Sequence, residues 1–146
     1  MTSNKEQQTK SRRKSGIPTG NAGEYFVMGE LLRRGYDAQL ADRNTKDYDI
    51  LVGWPTDSAL RKVQVKSVRA QPWYVSIEKF SDPPHDQTTI FVLLGPEAAL
   101  KPVRYFIVKN HQVATQIHCP ANWQKNAFMP LKAIKDYEDR WDILLG

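Results

Sequence analysis

The sequence predicts a mixed α/β domain of the α+β kind, with a central mixed β-sheet flanked by helices. Three observations carry this. The stretch "NAGEYFVMGELLRRG" has helical periodicity and helical end signals. Strand-like segments follow it, two of them spaced as a hairpin. An aromatic stripe at helical spacing then closes the chain. No internal repeat and no second domain interrupts this order. At 146 residues the chain fits one domain with a core of its own.

In the first element, Asn21 is the N-cap expected of the helix and Gly35 its stop. "YDAQL" is a short strand. "YDILVGW" is a second, mostly apolar strand, and "DSALRKVQVKSVRA" gives a turn and a third, forming a hairpin with the second. "WYVSIEKF" reads as a fourth strand. The prolines of "SDPPHDQ" mark a loop. "TTIFVLLG" is almost wholly apolar, which places it centrally. "VRYFIVKN" is a sixth strand and "NHQVATQIH" a weak helical stretch, while "CPANWQKNAFMP" reads as irregular. In "LKAIKDYEDRWDILL", Ile134, Tyr137, Trp141, Leu144 and Leu145 predict one helix docking an aromatic-rich face, with Trp141 in the core.

Composition excludes several classes. A hydrophobic share of 40% and an aromatic share of 10% are those of a globular protein. The lone Cys119 makes no internal disulfide. No apolar run approaches the roughly 20 residues of a membrane span, and the N-terminus lacks the apolar region of a signal peptide. The expectation is a soluble cytoplasmic protein. The net charge of +5 is uneven. Residues 1–15 hold Lys5, Lys10, Arg12, Arg13 and Lys14 against Glu6, a net of +4. The remaining 16 basic and 15 acidic residues leave +1. Residues 1–20 thus read as a disordered basic tail and 21–146 as one domain. Such an arm suits a phosphate backbone, and a merely solvated tail has the same composition.

The first helix carries a carboxylate in an unexpected place. At about 100° per residue, with Glu24 at zero, Leu31, Met28, Val27, Leu32 and Tyr25 all fall within about 100° of it. Glu24 is then expected near the middle of the apolar face, where a carboxylate is costly unless paired, hydrogen-bonded or on a metal. Helix-start chemistry is the competing explanation, since negative charge in a first turn meets the helix dipole. Asp47 and Asp49 flank the start of the second strand. A lone aspartate there is often a turn residue. The hairpin, however, brings this point near Gln64 and Lys66, which share one face of the third strand. Asp49, the Gln64 side-chain oxygen, the Val65 carbonyl and the Lys66 ammonium then converge.

Oxygen donors beside a lysine suit metal-assisted attack on a phosphodiester, with Mg²⁺ or Mn²⁺ as the ion. The three histidines, His85, His111 and His118, have no zinc spacing. There is no GxSxG, phosphate loop or GxGxxG.

These motifs, "GE" on the helix, "GY", "YDILV" and "VQVKS", resemble the PD-(D/E)XK nuclease superfamily, above all its small restriction-endonuclease-like and Holliday-junction-resolvase-like members. The resemblance spans roughly residues 22–70 and more loosely reaches about 94. It implies a restriction-endonuclease-like core, a single nuclease-like domain over 21–146, and metal-dependent hydrolysis of DNA. It implies roles as well. Asp49 is a metal ligand, Val65 gives a backbone carbonyl, Lys66 orients or activates the attacking water, and Glu24 supports the metal. Gln64 stands where the family usually has a carboxylate, which removes one negative charge. Tyr48 replaces the proline that usually precedes the aspartate.

A metal-dependent endonuclease is the leading expectation. The alternative is a catalytically inactive nuclease-fold module that binds DNA or a partner protein, motivated by Gln64 and the near-neutral body. Besides the tail residues Arg12, Arg13 and Lys14, the candidates for phosphate contact are Arg61, Lys62 and Arg69. No helix-turn-helix or zinc finger points to a target sequence. A homodimer is expected from the resemblance alone, and the sequence shows no clear dimer helix.

Overall fold

The computed structural model describes residues 16–42, 44, 48–81, 87–98 and 100–145. Lys5, Lys10, Arg12, Arg13, Lys14, Asp47 and His85 lie outside the described residues.

Helix α1 spans Gly16–Arg33. It begins five residues before Asn21, so Asn21 is an interior residue rather than the cap. Pro18 is compatible with this start, because the first turn has no intrahelical acceptor for the missing N–H. The C-terminal end agrees with the sequence reading. Gly35 takes a positive φ of 92°. Its N–H donates to Leu32 O, and the Tyr36 N–H donates to Leu31 O. This is the Schellman arrangement, which satisfies carbonyls that the helix leaves open.

Strands β1 (Asp37–Leu40), β2 (Ile50–Trp54), β3 (Asp57–Val68), β5 (Thr88–Leu93) and β6 (Arg104–Lys109) form one sheet in the order β1-β2-β3-β5-β6. The pairing is antiparallel except between β3 and β5, so the sheet is mixed. Strand β4 (Trp73–Ser76) joins β7 (Asn126–Met129) in a separate two-stranded antiparallel sheet. Two sequence expectations change here. The segment after β4 turns into a short helix α2 (Glu78–Ser81), and the stretch read as irregular contains β7. Helix α3 (Asn110–Val113) and the 3-10 turn Ala114–Gln116 fill the weak helical stretch.

Each face of the main sheet has its own core. One, under α1, gathers Val27, Leu31, Ile50, Val52, Val63, Ile90, Val92 and Ile107. The other, under the small sheet, gathers Trp73, Val75, Phe80, Phe91, Phe106, Val108 and Met129. Alternation along β5 sends Ile90 and Val92 one way and Phe91 the other, which is why this strand reads as continuously apolar. The Trp73 indole N–H donates to Val92 O at 3.1 Å, tying the two layers.

The closing helix does not form as one piece. Helix α4 covers Leu131–Ile134, followed by 3-10 turns at Lys135–Tyr137 and Trp141–Leu145. Between them Asp139 has a positive φ of 56°. The competing interaction is visible. Phe106 bridges to Glu138, and the Asp139 N–H donates to Tyr105 O at 2.9 Å. Arg104 grips the Glu138 carboxylate with two bonds of 2.8 and 2.9 Å. Backbone pairing to β6 thus overrides the helical period. Ile134, Trp141 and Leu144 are still buried, whereas Leu145 is exposed.

Candidate active site

The site grows from the point where β2 and β3 part. Their pairing begins at Ile50 opposite Val63. One residue further out, the Asp49 N–H donates to Val63 O at 2.9 Å. There the ladder loses its backbone partner, and the Asp49 side chain takes over. Its Oδ2 accepts the Val65 N–H at 2.8 Å. In a strand, the N–H and C=O of one residue point to the same edge. The Val65 carbonyl therefore faces the same notch as Asp49.

The antiparallel register sets Asp49 level with Gln64, and Lys66 lies two residues along the same face of β3. Gln64, Val65 and Lys66 are all half-buried. Gln64 and Lys66 are register neighbours of Thr89 and Phe91, both buried. One wall of the notch is consequently dry, a setting in which charge interactions are stronger than in water.

Glu24 lies on α1, which covers the sheet face opposite to that of Gln64 and Lys66. Val63 and Val65 turn toward this helix. A Cβ on Gly23 would overlap the Ser67 Oγ and touch Val65 Cγ1 at 3.6 Å. The absence of a side chain at Gly23 lets the helix sit directly on the Val65–Ser67 stretch, and Glu24 is the next residue. The helix-start explanation for Glu24 does not hold, because α1 begins eight residues earlier. Its expected place at the centre of the apolar face is also corrected. The buried stripe is Gly23, Val27 and Leu31. Glu24 lies about 60° from Val27 at the edge of that stripe and is half-buried. Tyr25 and Leu32, expected on the buried side, are exposed. Among the described residues no group of three His, Cys, Asp or Glu side chains is placed to hold a metal.

The predicted basic set does not converge. Lys62 shares its strand face with Gln64 and Lys66, and its Nζ lies 5.4 Å from the Tyr48 ring centre. Arg61 turns to the other face, opposite Val52, in a pocket with Tyr36, Trp54 and Leu144. Arg69 lies past the end of β3, bonded to Gly95 O and ion-paired with Glu97 at 3.7 Å. Sequence reasoning named Tyr48 only as the residue in place of a proline and missed its stacking with Lys62, and it missed the close packing at Gly23. The only signal for Gly23 was a glycine beside Glu24 inside a helical pattern.

No family model and no curated protein matches the chain. Solved structures do. A bacterial homing endonuclease superposes with a TM-score of 0.55 over 90% of this chain and 91% of its own, at 14% identity. The Holliday junction resolvase Hjc of the archaeal hyperthermophile Archaeoglobus fulgidus superposes with a TM-score of 0.50 over 80% of this chain and 87% of its own, at 17% identity. At such identities the likeness is one of fold. A mixed five-stranded sheet carrying α1 on one face and the β4–β7 layer on the other is thus a restriction-endonuclease-like fold.

Proposed function

We propose that the chain is a metal-dependent endonuclease that hydrolyses DNA phosphodiester bonds at the β2–β3 notch. The observation that carries this reading is the bond from the Val65 N–H to Asp49 Oδ2. It fixes a carboxylate beside a strand-edge carbonyl, with Gln64 and Lys66 on the adjoining face. The donor set fits Mg²⁺ or Mn²⁺. Asp49 Oδ1, the Val65 carbonyl and Gln64 Oε1 are hard oxygen donors, and Glu24 is a second carboxylate on the neighbouring helix. When bound, such an ion polarises the phosphate and lowers the pKa of water. The protein's part is positional and electrostatic. Val65 holds the Asp49 carboxylate in one orientation. The Lys66 ammonium orients the attacking water and offsets negative charge developing on the phosphate. Lys62 steadies the DNA backbone on the same face. Arg12, Arg13 and Lys14 are proposed phosphate contacts from the arm before α1, and the nuclease domain starts with α1 at Gly16 rather than at the expected residue 21. Arg61 and Arg69 are secondary because they face elsewhere. Two chains acting together would offer one site to each strand of a duplex.

Purified protein incubated with plasmid, branched and single-stranded DNA tests this. Cleavage is expected with Mg²⁺ or Mn²⁺, lost in EDTA and lost in Lys66→Ala. Cleavage that persists in EDTA, or is unchanged by Lys66→Ala, overturns the mechanism. One observation favours a second reading. Gln64 gives the site a neutral oxygen where a carboxylate would hold the ion more tightly, which suits a binding module without chemistry. Titration calorimetry with Mn²⁺ in the presence of DNA separates the two. DNA binding with no heat of metal binding favours the module.

A further inference from the structure

Strands β4 and β7 turn alternate residues to opposite sides. Trp73 and Val75 of β4, with Ala127 and Met129 of β7, are buried against the main sheet. Tyr74 and Phe128 point the other way and are cross-strand partners. His118 extends the row on the far side of β7. Its N–H donates to Phe128 O at 2.8 Å, and its carbonyl accepts the Phe128 N–H at 2.9 Å. The face of a sheet that meets water normally carries polar residues. Here three rings stand in a row across three chain segments.

A fourth ring joins them. The Trp123 N–H donates to Pro120 O at 2.9 Å, closing a turn. The turn sets the indole 5.9 Å from the Tyr74 ring and 6.1 Å from the Phe128 ring, and the His118 ring lies 4.6 Å from Phe128. Internal packing accounts for Phe128, which is half-buried. Tyr74 is 61% and Trp123 38% exposed, and His118 is exposed as well. Tyr74 and Trp123 line an open groove with Gln124, Lys125 and Asn126. The rings thus stand beside an ammonium and two amides, which both donate and accept hydrogen bonds.

We propose that the outer face of the β4–β7 layer is a stacking platform for single-stranded DNA, with unpaired bases on Tyr74 and Trp123 and a phosphate at Lys125. Every base has a flat π-face, and aromatic rings beside a cation are how proteins hold single strands. A duplex does not fit in this way, because its bases are already stacked on one another. The charge pattern selects a polyanion over other ligands of aromatic surfaces. Residues 105–135 hold Lys109, Lys125, Lys132 and Lys135 and not one Asp or Glu. A proline-rich peptide docks in an aromatic groove through its own fixed shape and has no need of such a field.

The platform lies on the notch's side of the main sheet. Phe91 is buried in the core beneath the β4–β7 layer and is the register partner of Lys66. The layer therefore covers the face on which Gln64 and Lys66 project. The choice of DNA over RNA, and the use of the platform to present an unpaired stretch to the notch, rest on the reading of that notch as a nuclease site. The stacking itself does not, and it is measured without metal.

Fluorescence anisotropy of labelled oligothymidylate in EDTA tests this on the full chain, apart from any cleavage. Tyr74→Ala and Trp123→Ala should each weaken binding about tenfold and leave the affinity for a duplex unchanged. Tyr25→Ala, at a similarly exposed ring on α1, should change neither. Lys125→Ala should lower the slope of log affinity against log salt by about one. Trp123→Phe keeps a ring and should retain most of the affinity. Oligothymidylate should quench tryptophan fluorescence in the wild type and less in Trp123→Phe, which keeps the proposal testable if Trp123→Ala unfolds. Unaltered single-strand affinity in folded Tyr74→Ala and Trp123→Ala overturns the proposal. So do equal losses on duplex, and a loss in Tyr25→Ala as large as in Trp123→Ala. Tighter binding of oligouridylate would assign the platform to RNA, and Trp123-dependent binding of a proline-rich peptide without DNA binding would assign it to a protein. Either result overturns the proposal too. Platform binding without cleavage removes the nuclease reading and leaves this one standing, and cleavage without platform binding does the reverse.

Discussion

Gly23 and Ser67 meet with no room for a side chain between them, so α1 rests on β3 at a glycine. The Ser67 Oγ in this contact is buried without a hydrogen-bond partner. Gly23→Ala should cost about 1–3 kcal/mol by overpacking. Ser67→Ala removes an unsatisfied hydroxyl and is expected to stabilise by about 1 kcal/mol. Urea denaturation of Gly23→Ala, Ser67→Ala, Ser67→Gly and Gly23→Ala/Ser67→Gly checks this. A double variant whose cost equals the sum of the Gly23→Ala and Ser67→Gly costs would mean that the two positions are not coupled.

Asp49 has a structural duty beside its proposed chemical one. Asp49→Ala leaves the Val65 N–H without its acceptor and should destabilise by about 1–3 kcal/mol. Asp49→Asn keeps an oxygen in place and should cost clearly less. Both are expected to abolish cleavage, since neither offers a carboxylate to the ion. Thermal melts paired with cleavage assays separate the duties. Equal destabilisation by Ala and Asn would count against the hydrogen bond as the stabilising element.

Gln64→Glu restores the charge that the motif usually carries. A second carboxylate level with Asp49 should tighten Mn²⁺ binding by about tenfold or more, through attraction at short range in a partly dry site. Calorimetry reads this directly. Unchanged affinity would place the ion away from residue 64.

Two groups set opposite edges of the pH range. Burial pushes the Tyr105 hydroxyl up to about 12, from an ordinary value of 10.0. Below pH 10 its contribution to stability is complete. It is lost as the pH climbs toward 12, because only the unfolded chain releases the proton easily. The hydrogen bonds from Arg104 hold the Glu138 carboxyl below its ordinary 4.5. That contribution is present above 4.5 and is lost as the pH falls through the lower folded value. Arg104→Ala should thus raise the Glu138 titration midpoint, read by carboxyl NMR, and shrink the stability lost on acidification below pH 4.5. A midpoint unmoved by Arg104→Ala would contradict the assigned cause.

The parts of this fold legible in the sequence are those fixed by local chemistry. Gly35 ends α1 where its positive φ is needed, and alternation locates β2, β3, β5 and β6. The placement of Asp49 beside Gln64 was legible through the register of the hairpin. What escaped depends on distant partners. The early start of α1 hinges on Pro18 fitting a first turn. Strand β7 has four residues and exists because β4 pairs with it. The closing helix breaks because Glu138 and Asp139 bond to β6. The helical wheel misassigned Tyr25 and Leu32 because it sees one apolar arc where the molecule has two faces.

The Asp49–Val65 bond has a consequence for how such a domain changes over time. An aspartate that completes a sheet is retained by selection for folding even after chemistry is abandoned. Lys66 is given no comparable task in holding β2 to β3. Across divergent relatives, then, Asp49 should persist with the architecture whether or not Lys66 does.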